Sequence, residues 1–307
     1  MNGSSPAVLL CGGTGLLGRK VAARLAGSGA GFRALVRPTT SDAELRALGS
    51  EVVNGDLRDA DSLGPAVEGI RTIVSSASSL ARTLGGERGL RIGDVDRDGY
   101  ASLIAAAERA HVERFVFVSA ALPPIAAKLA PYAAAKAATE QRLRGSNLRP
   151  VIVRPDMFQE VWLSPETKFD WPKGRLTIFG RGDTKARYVA ADDVAALTVH
   201  LALAEDPPET IEFGGPEAHT RNEAADLFER EAGRPMRRRH VPRAALRVGA
   251  AMLRRPKPTL ASVMGMALAA DLVGPSWDDG PLVAIGVRPR STTEFVRDSV
   301  HERAADG

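Results

Sequence analysis

The stretch from Ala7 to Arg37 constrains the fold more than any other part of the chain. It opens with an apolar run, residues 7–10, too short for a helix and followed by glycines at 12, 13, 15 and 18. Such a run reads as a buried strand. Beyond the glycines, Val21, Ala22 and Leu25 recur on one helical face, and Phe32–Val36 reads as a second strand. Strand, glycine turn, helix and strand within about 30 residues is the context in which a dinucleotide fingerprint carries weight. Without a Cβ, glycine lets the chain turn sharply off the strand and lets a pyrophosphate approach the backbone. The helix N-terminus then offers its N–H groups to the phosphates. Gly12, Gly13, Thr14, Gly15, Leu16, Leu17 and Gly18 are the expected cradle. Both Gly13-x-Gly15-x-x-Gly18 and Gly12-x-x-Gly15-x-x-Gly18 describe it.

The end of the second strand bears on which dinucleotide fits. An NAD site usually places Asp or Glu there to bind the ribose hydroxyls. This chain has Val36-Arg37-Pro38 and no carboxylate. The planar donors of a guanidinium match phosphate oxygens, so Arg37 favours NADP (NADPH) and disfavours NAD.

The 307 residues allow one large domain or two small ones. With 44% hydrophobic and 25% charged residues, the chain has the balance of a globular protein with a sizeable core. Cys11, the one cysteine, permits no intrachain disulfide and reads as a small core residue. The start, MNGSSPAVLL, lacks the charged segment of a signal peptide. No run of about 18 apolar residues is present, so a cytoplasmic protein is expected. His111, His200, His219, His240 and His301 lack metal-ligand spacing, and no metal is expected.

Strands and helices alternate through the first half, the signature of a parallel sheet with crossover helices. Helices are expected at 42–48, 61–67, 95–110 and 132–144, and strands at Glu51–Asn54, Thr72–Ser75, Arg114–Val118 and 151–153. Residues 157–185, with Trp162, Trp171, Pro165 and Pro172, read as an irregular excursion. Asp192 or Asp193 is placed to cap a helix running to Leu203. Thr210–Phe213 is a further strand, and 222–232, 244–253 and 259–272 are helices. The fold class expected is α/β, a Rossmann-type doubly wound parallel sheet. Residues 1–155 and 186–215 would form the NAD(P)-binding domain, and 156–185 and 216–307 a smaller, mainly helical substrate lobe packed on it.

Tyr132 and Lys136, four apart on the Ala-rich helix, share a face. A phenol titrates near 10, too high for efficient proton transfer at neutral pH. A neighbouring ammonium favours the phenolate and lowers that value. Such a pair can protonate a carbonyl oxygen as a hydride reaches its carbon. Ser119 ends the preceding strand, at the edge where α/β sheets bind ligands, and its hydroxyl can hold the same oxygen.

These motifs, in this order, resemble the atypical and extended short-chain dehydrogenases/reductases, in their NmrA-like and complex-I-accessory-subunit-like branch. The resemblance rests on CGGTGLLG (11–18), ALVR (34–37), GDL (55–57) and VDRDGYASLIAAAERAHVERFVFVS (95–119). It continues in YAAAKAATEQRLRGSNLRPVIVRP (132–155), YVAADDVAAL (188–197) and FGGPEAHTRNEAADLF (213–228). It implies that Asp56 and Leu57 flank the adenine and that Ser76 and Ala77 line the cofactor. Ser119, Tyr132 and Lys136 would be catalytic, with Lys136 also on the nicotinamide ribose, and Pro155 and Phe158 would border the nicotinamide and substrate. The implied activity is NADPH-dependent reduction of a ketone or related carbonyl of a small substrate, such as a secondary metabolite. One position departs: Asp96 stands where extended members usually carry Asn. Some members keep fold and cofactor without turnover, as sensors or assembly proteins, and others run epimerase or dehydratase chemistry; both stand as alternatives. A monomer or homodimer is expected.

Between residues 232 and 270 there are nine basic residues and no Asp or Glu, in a chain of net charge +4. The segment lacks the aromatic interleaving of a nucleic-acid binder, so no nucleic-acid partner is expected. Its middle, 243–255, mixes Leu246, Val248, Ala250 and Leu253 with arginines. A packed lid or wall helix is expected there; contact with a membrane surface is weighed and not favoured, because few of its apolar residues are large.

Overall fold

The computed structural model describes residues 7–84, 86, 87 and 89–305. Residues 1–6, part of the start read as lacking a signal peptide, lie outside them. The opening run becomes β1 (Val8–Cys11), buried at every position, and passes through the glycine turn into α1 (Leu16–Gly27) and β2 (Phe32–Val36). Then come α2 (Ala43–Ala47), β3 (Glu51–Asn54), a 3-10 turn at Ala60–Leu63, α3 (Gly64–Val67) and β4 (Thr72–Ser75). After α4 (Ser79–Leu84), a π-helical stretch at Asp94–Gly99 runs into α5 (Tyr100–Arg109) and β5 (Arg114–Val118). The chain continues as α6 (Ala126–Leu129), α7 (Pro131–Arg144), β6 (Arg149–Pro155) and α8 (Gln159–Trp162). Three strands follow, β7 (Phe169–Asp170), β8 (Arg175–Phe179) and β9 (Lys185–Ala186), then α9 (Ala191–Leu203), β10 (Thr210–Phe213) and β11 (His219–Thr220). The last elements are α10 (Arg221–Glu231), β12 (Arg237–Val241), α11 (Arg243–Leu253), α12 (Pro258–Leu272), α13 (Gly280–Ala284) and α14 (Thr292–Ala305).

The chain divides into two compact units: Met1–Ser119, Ala135–Arg154 and Val194–Ile211 form one, and Ala120–Ala134, Pro155–Asp193 and Glu212–Gly307 the other. The main sheet has the order β10-β6-β5-β4-β1-β2-β3. β1 pairs in parallel with β2 and with β4, and the parallel run extends to β3 on one side and through β5 to β6 on the other. This is the doubly wound arrangement the alternating elements predict. Its order reverses between β1 and β4, so the crevice at their carboxyl ends is where such a sheet takes a ligand. Leu9, Ile73, Phe115, Phe117 and Tyr100 belong to the core of this unit, with the Tyr100 ring edge-on to Phe117 at 4.9 Å.

Two expected helices differ in form. The 61–67 helix begins as a 3-10 turn, and the 95–110 helix opens with the π-helical stretch. There the Asp96 carbonyl accepts Thr139 Oγ1 at 2.9 Å, and Gly99 presses on Leu57, whose Cβ would lie 2.9 Å from any Cβ at 99. Outside partners and close approach are what insert a wide turn into a helix. Asp192 and Asp193 do not precede α9 but sit in its first turn, where Asp193 Oδ2 accepts the Arg290 amide at 2.8 Å.

In the second unit the 157–185 stretch is not irregular. β8 is the middle of a three-stranded sheet, β12-β8-β7, parallel to β12 and antiparallel to β7. Its residues alternate in burial, sending Leu176 and Ile178 into a core with Phe169, Tyr188, Phe228 and Phe295. Phe169 and Trp171 pack on the Phe228 ring at centroid distances of 5.6 and 5.2 Å.

Asp271 of α12 organises the loop after β8. Its buried carboxylate accepts the amides of Arg181 and Gly182 at 3.0 and 2.7 Å and pairs with Arg243 Nε at 2.5 Å. Gly180, at φ +73°, passes so close that any Cβ would collide with this carboxylate. Asp271→Ala strands two amides and a guanidinium, a loss of about 2 kcal/mol or more. Thermal unfolding of this variant is expected several degrees below wild type, with Asp271→Asn in between; an unchanged midpoint would show that the loop holds without it.

Candidate active site

The glycine turn is shaped by approaches that no side chain permits. Gly12 has φ +90°, and a Cβ there would lie 2.7 Å from the Ala77 amide nitrogen. A Cβ on Gly18 would run into the Gly12 carbonyl, while at Gly15 there is room. The Gly15 amide donates to that same carbonyl at 3.0 Å, folding the turn on itself ahead of α1. No acidic residue occupies the first turn of α1, so its free amides and positive dipole end are left for an anion. Across the switch point, the Ser76 amide donates to the Cys11 carbonyl at 3.0 Å, which brings Ser76 and Ala77 beside Gly12. Ser76 Oγ is buried and has no partner among the described residues. A cradle closed to Cβ atoms, a free helix terminus and an orphaned hydroxyl fit a dinucleotide. Leu17 is buried beneath the turn and Leu16 is exposed. Burial pushes the Cys11 thiol up to about 12, which suits a core residue and not a nucleophile.

Arg37 reaches Glu87, with Nη1 at 3.2 Å from Oε2. Glu87 also accepts Arg82 through both carboxylate oxygens, at 2.8 and 2.5 Å. The hydrogen bond from Arg82 holds the Glu87 carboxyl below its usual range, against burial and with help from Arg37. Two guanidinium groups thus share one carboxylate and leave a net positive charge at the end of β2. Asp56 is bound by Arg58 at 2.7 Å. Burial would raise its carboxyl, but the hydrogen bonds and charge of Arg58 prevail and hold it low. Leu57 is buried against Gly99.

α7 carries Tyr132 and Lys136 one turn apart. Lys136 is 3% exposed, donates from Nζ to the Val118 carbonyl at 2.8 Å and stands 4.4 Å from the Phe117 ring centroid. Burial pushes its ammonium down to about 8, against the pull of Asp96 and Glu140. Tyr132 is half-buried, and its backbone amide donates to Ser262 Oγ at 3.0 Å. Ser119 Oγ gives its proton to Glu140 Oε1 at 2.5 Å, which leaves its lone pairs to accept. Glu140 also accepts Arg154 Nε at 3.0 Å. Burial would raise its carboxyl, yet Arg154 and Ser119 keep it below the usual range. Asp96 is wholly buried; Oδ2 accepts the amide of Ser79 at 2.9 Å and its hydroxyl as well, while Oδ1 has no partner among the described residues. Burial raises the Asp96 carboxyl, with the Lys136 charge and Ser79 pulling the other way.

Pro155 and Phe158 belong to the second unit. The Pro155 carbonyl accepts the Ala121 amide at 2.8 Å, and Phe158 bridges to Val189. Sequence reading missed Glu140, although it lies on the face of Tyr132 and Lys136 one further turn along. Tyr100 was also missed: its hydroxyl donates to the Ala77 carbonyl at 2.8 Å and lies 2.9 Å from Ser75 Oγ, bracing the strand end beside the cradle. No motif announced it.

A family model described as NAD(P)H-binding matches residues 12–205. The isoflavone reductase homolog IRL of Zea mays is 31% identical over 270 residues, covering 78% of this chain and 78% of that protein. The photosystem II assembly factor Ycf39 of Synechocystis sp. is 28% identical over 247 residues, covering 78% and 72%. The chloroplastic protein High Chlorophyll Fluorescence Phenotype 244 of Arabidopsis thaliana is 29% identical over 78% of this chain, which spans 59% of that relative's length. Among solved structures, the Escherichia coli NADPH-dependent quinone oxidoreductase complexed with NADPH is 22% identical with a TM-score of 0.69, covering 94% of this chain and 98% of that one. This likeness shows the fold.

Gly18→Ala forces backbone strain into the turn and is expected to weaken NADPH binding about tenfold or more. Titration followed by nicotinamide fluorescence reads this directly. Unaltered affinity in a folded variant would place the dinucleotide elsewhere.

Proposed function

The chain belongs to the NAD(P)H-binding family, in its atypical short-chain dehydrogenase/reductase branch, and from that premise we propose that it is an NADPH-dependent reductase of a ketone or related carbonyl. One observation carries this reading: α7 sets Tyr132 one turn from a lysine whose ammonium titrates at about 8. When bound, NADPH supplies the hydride. The turn from Gly12 to Gly18 and the α1 terminus hold the pyrophosphate, with Ser76 and Ala77 beside it. Asp56 and Leu57 flank the adenine, and Pro155 and Phe158 border the nicotinamide and substrate. Tyr132 gives its phenolic proton to the carbonyl oxygen, and the Lys136 ammonium steadies the phenolate that remains. Ser119, held by Glu140 at 2.5 Å, turns its hydroxyl to the same carbonyl oxygen when substrate is bound. The substrate class is a small carbonyl compound. Among the described residues no helix is long and apolar enough to cross a membrane.

A second reading, a cofactor-binding protein without turnover, draws on Asp96. Its unpartnered buried oxygen stands where an amide would donate a hydrogen bond, and two relatives named as photosystem II assembly factors are 27% and 28% identical to this chain.

A panel of carbonyl compounds, with NADPH oxidation followed optically, separates the readings. Turnover is expected for wild type, with Tyr132→Phe losing it while NADPH still binds. Because reduction needs the Lys136 ammonium, kcat/KM should fall as pH rises through about 8, by about tenfold per further unit. Tight NADPH binding without turnover of any compound would favour the silent protein.

Arg37 is proposed to select the 2′-phosphate, which must compete with Glu87 for it. Arg37→Asp is expected to lower the preference for NADPH over NADH about ten- to a hundredfold, the worth of a charge-assisted hydrogen bond. An unchanged ratio of dissociation constants would remove Arg37 from the cofactor site.

A further inference from the structure

α11 and α12 pack against each other within the second unit, Gly249 receiving the end of Met264 so closely that a Cβ there would collide. α11 turns Leu246 and Ala250 inward, at 0% and 3% exposed. Its opposite face is not polar. Ala244, Ala245, Val248, Ala251 and Met252 are all exposed, Val248 at 56% and Met252 at 73%. Their spacing puts them on one stripe of the helix, where a surface helix ordinarily carries charge. Arg254, Arg255 and Lys257 follow at the end of the stripe, and Leu260 in the first turn of α12 is 45% exposed. α6, which packs on both helices, adds exposed Lys128, with exposed Ile125 just before it; Arg254 donates to the Lys128 carbonyl at 3.0 Å. Arg247, Arg255 and Lys257 form no ion pair among the described residues, and no Asp or Glu occurs from 232 to 270.

We propose that this face is a docking surface for an anionic lipid layer, with α11 lying along it. A second copy of the chain would set the same cations against one another across a two-fold axis. A protein partner would need anchors that fill pockets, commonly aromatic or arginine side chains in desolvated centres, and a stripe of alanines with one valine and one methionine offers none. A lipid interface asks only for an apolar stripe parallel to it and cations at headgroup level. The inner face of α11 is packed, while its outer face is uncovered among the described residues. The modest apolar area means that insertion and charge must act together, so attachment is reversible and salt-sensitive. Ser262 of α12 accepts the Tyr132 amide at 3.0 Å, so the docking face and Tyr132 share one packed block. The inference is independent of whether Tyr132 turns over substrate.

The full chain is pelleted with phosphatidylcholine vesicles, with and without phosphatidylglycerol, at low and high salt. Pelleting is expected only with phosphatidylglycerol and only at low salt. Arg255→Gln with Lys257→Gln should weaken it by about tenfold or more, and Val248→Asp with Met252→Asp should abolish it. Both double variants are expected to keep the wild-type melting temperature and NADPH affinity, since these side chains are exposed. Absence of pelleting by wild type, or pelleting that both variants retain, would overturn the proposal. Concentration-dependent dimerisation of the lipid-free protein, lost in Val248→Asp with Met252→Asp, would overturn it in favour of a second copy.

Discussion

The contact between Gly18 and the Gly12 carbonyl is the constraint on which the first unit depends. A strand that must end, reverse and start a helix within a few residues needs backbone to meet backbone, and only residues without a Cβ allow it. Once that contact forms, the α1 terminus is fixed at the carboxyl end of β1. The Ser76 amide then ties the end of β4 to Cys11 at 3.0 Å, and Tyr100 props Ala77 from below at 2.8 Å. A phosphate cradle and a sheet switch point are therefore one feature. Loosening the turn loosens both.

Around the end of β5 the same unit accepts a cost. Lys136, Asp96 and Glu140 are buried, and moving charge out of water is unfavourable unless partners replace the solvent. Glu140 has them in Arg154 and Ser119, so its carboxyl stays ionised. Lys136 donates to a carbonyl and lies against an aromatic face, and burial prevails on its titration over the pull of Asp96 and Glu140. Asp96 is half satisfied. Such a distribution leaves Glu140 rigidly charged and brings the Lys136 ammonium down to about 8, within reach of proton transfer near neutral pH.

The sheet was legible because its determinants are local. Short apolar runs, glycines and Ala-rich periodicity lie within each element, so β1 to β5 and the Tyr132–Lys136 helix could be read directly. β8 was also legible in principle, since RLTIF alternates, but the prolines and tryptophans around it suggested irregularity. β12 was not: RRRHV carries no burial period, and its strand form comes from pairing with β8. The π-helical opening before α5 depends on Thr139 and Leu57, both distant in sequence. Ser119 was placed correctly at its strand end, whereas the direction of its proton depended on Glu140, a partner identified only by folding.

The most direct test of the account is isotopic. NADPH deuterated on one face of C4 would be incubated with the protein and an accepted carbonyl, and the alcohol examined by mass spectrometry and NMR. The account predicts deuterium at the carbinol carbon from one C4 face only, and none from the other. Deuterium that stays on the nicotinamide while the cofactor is bound, with every carbonyl recovered unchanged, would contradict it.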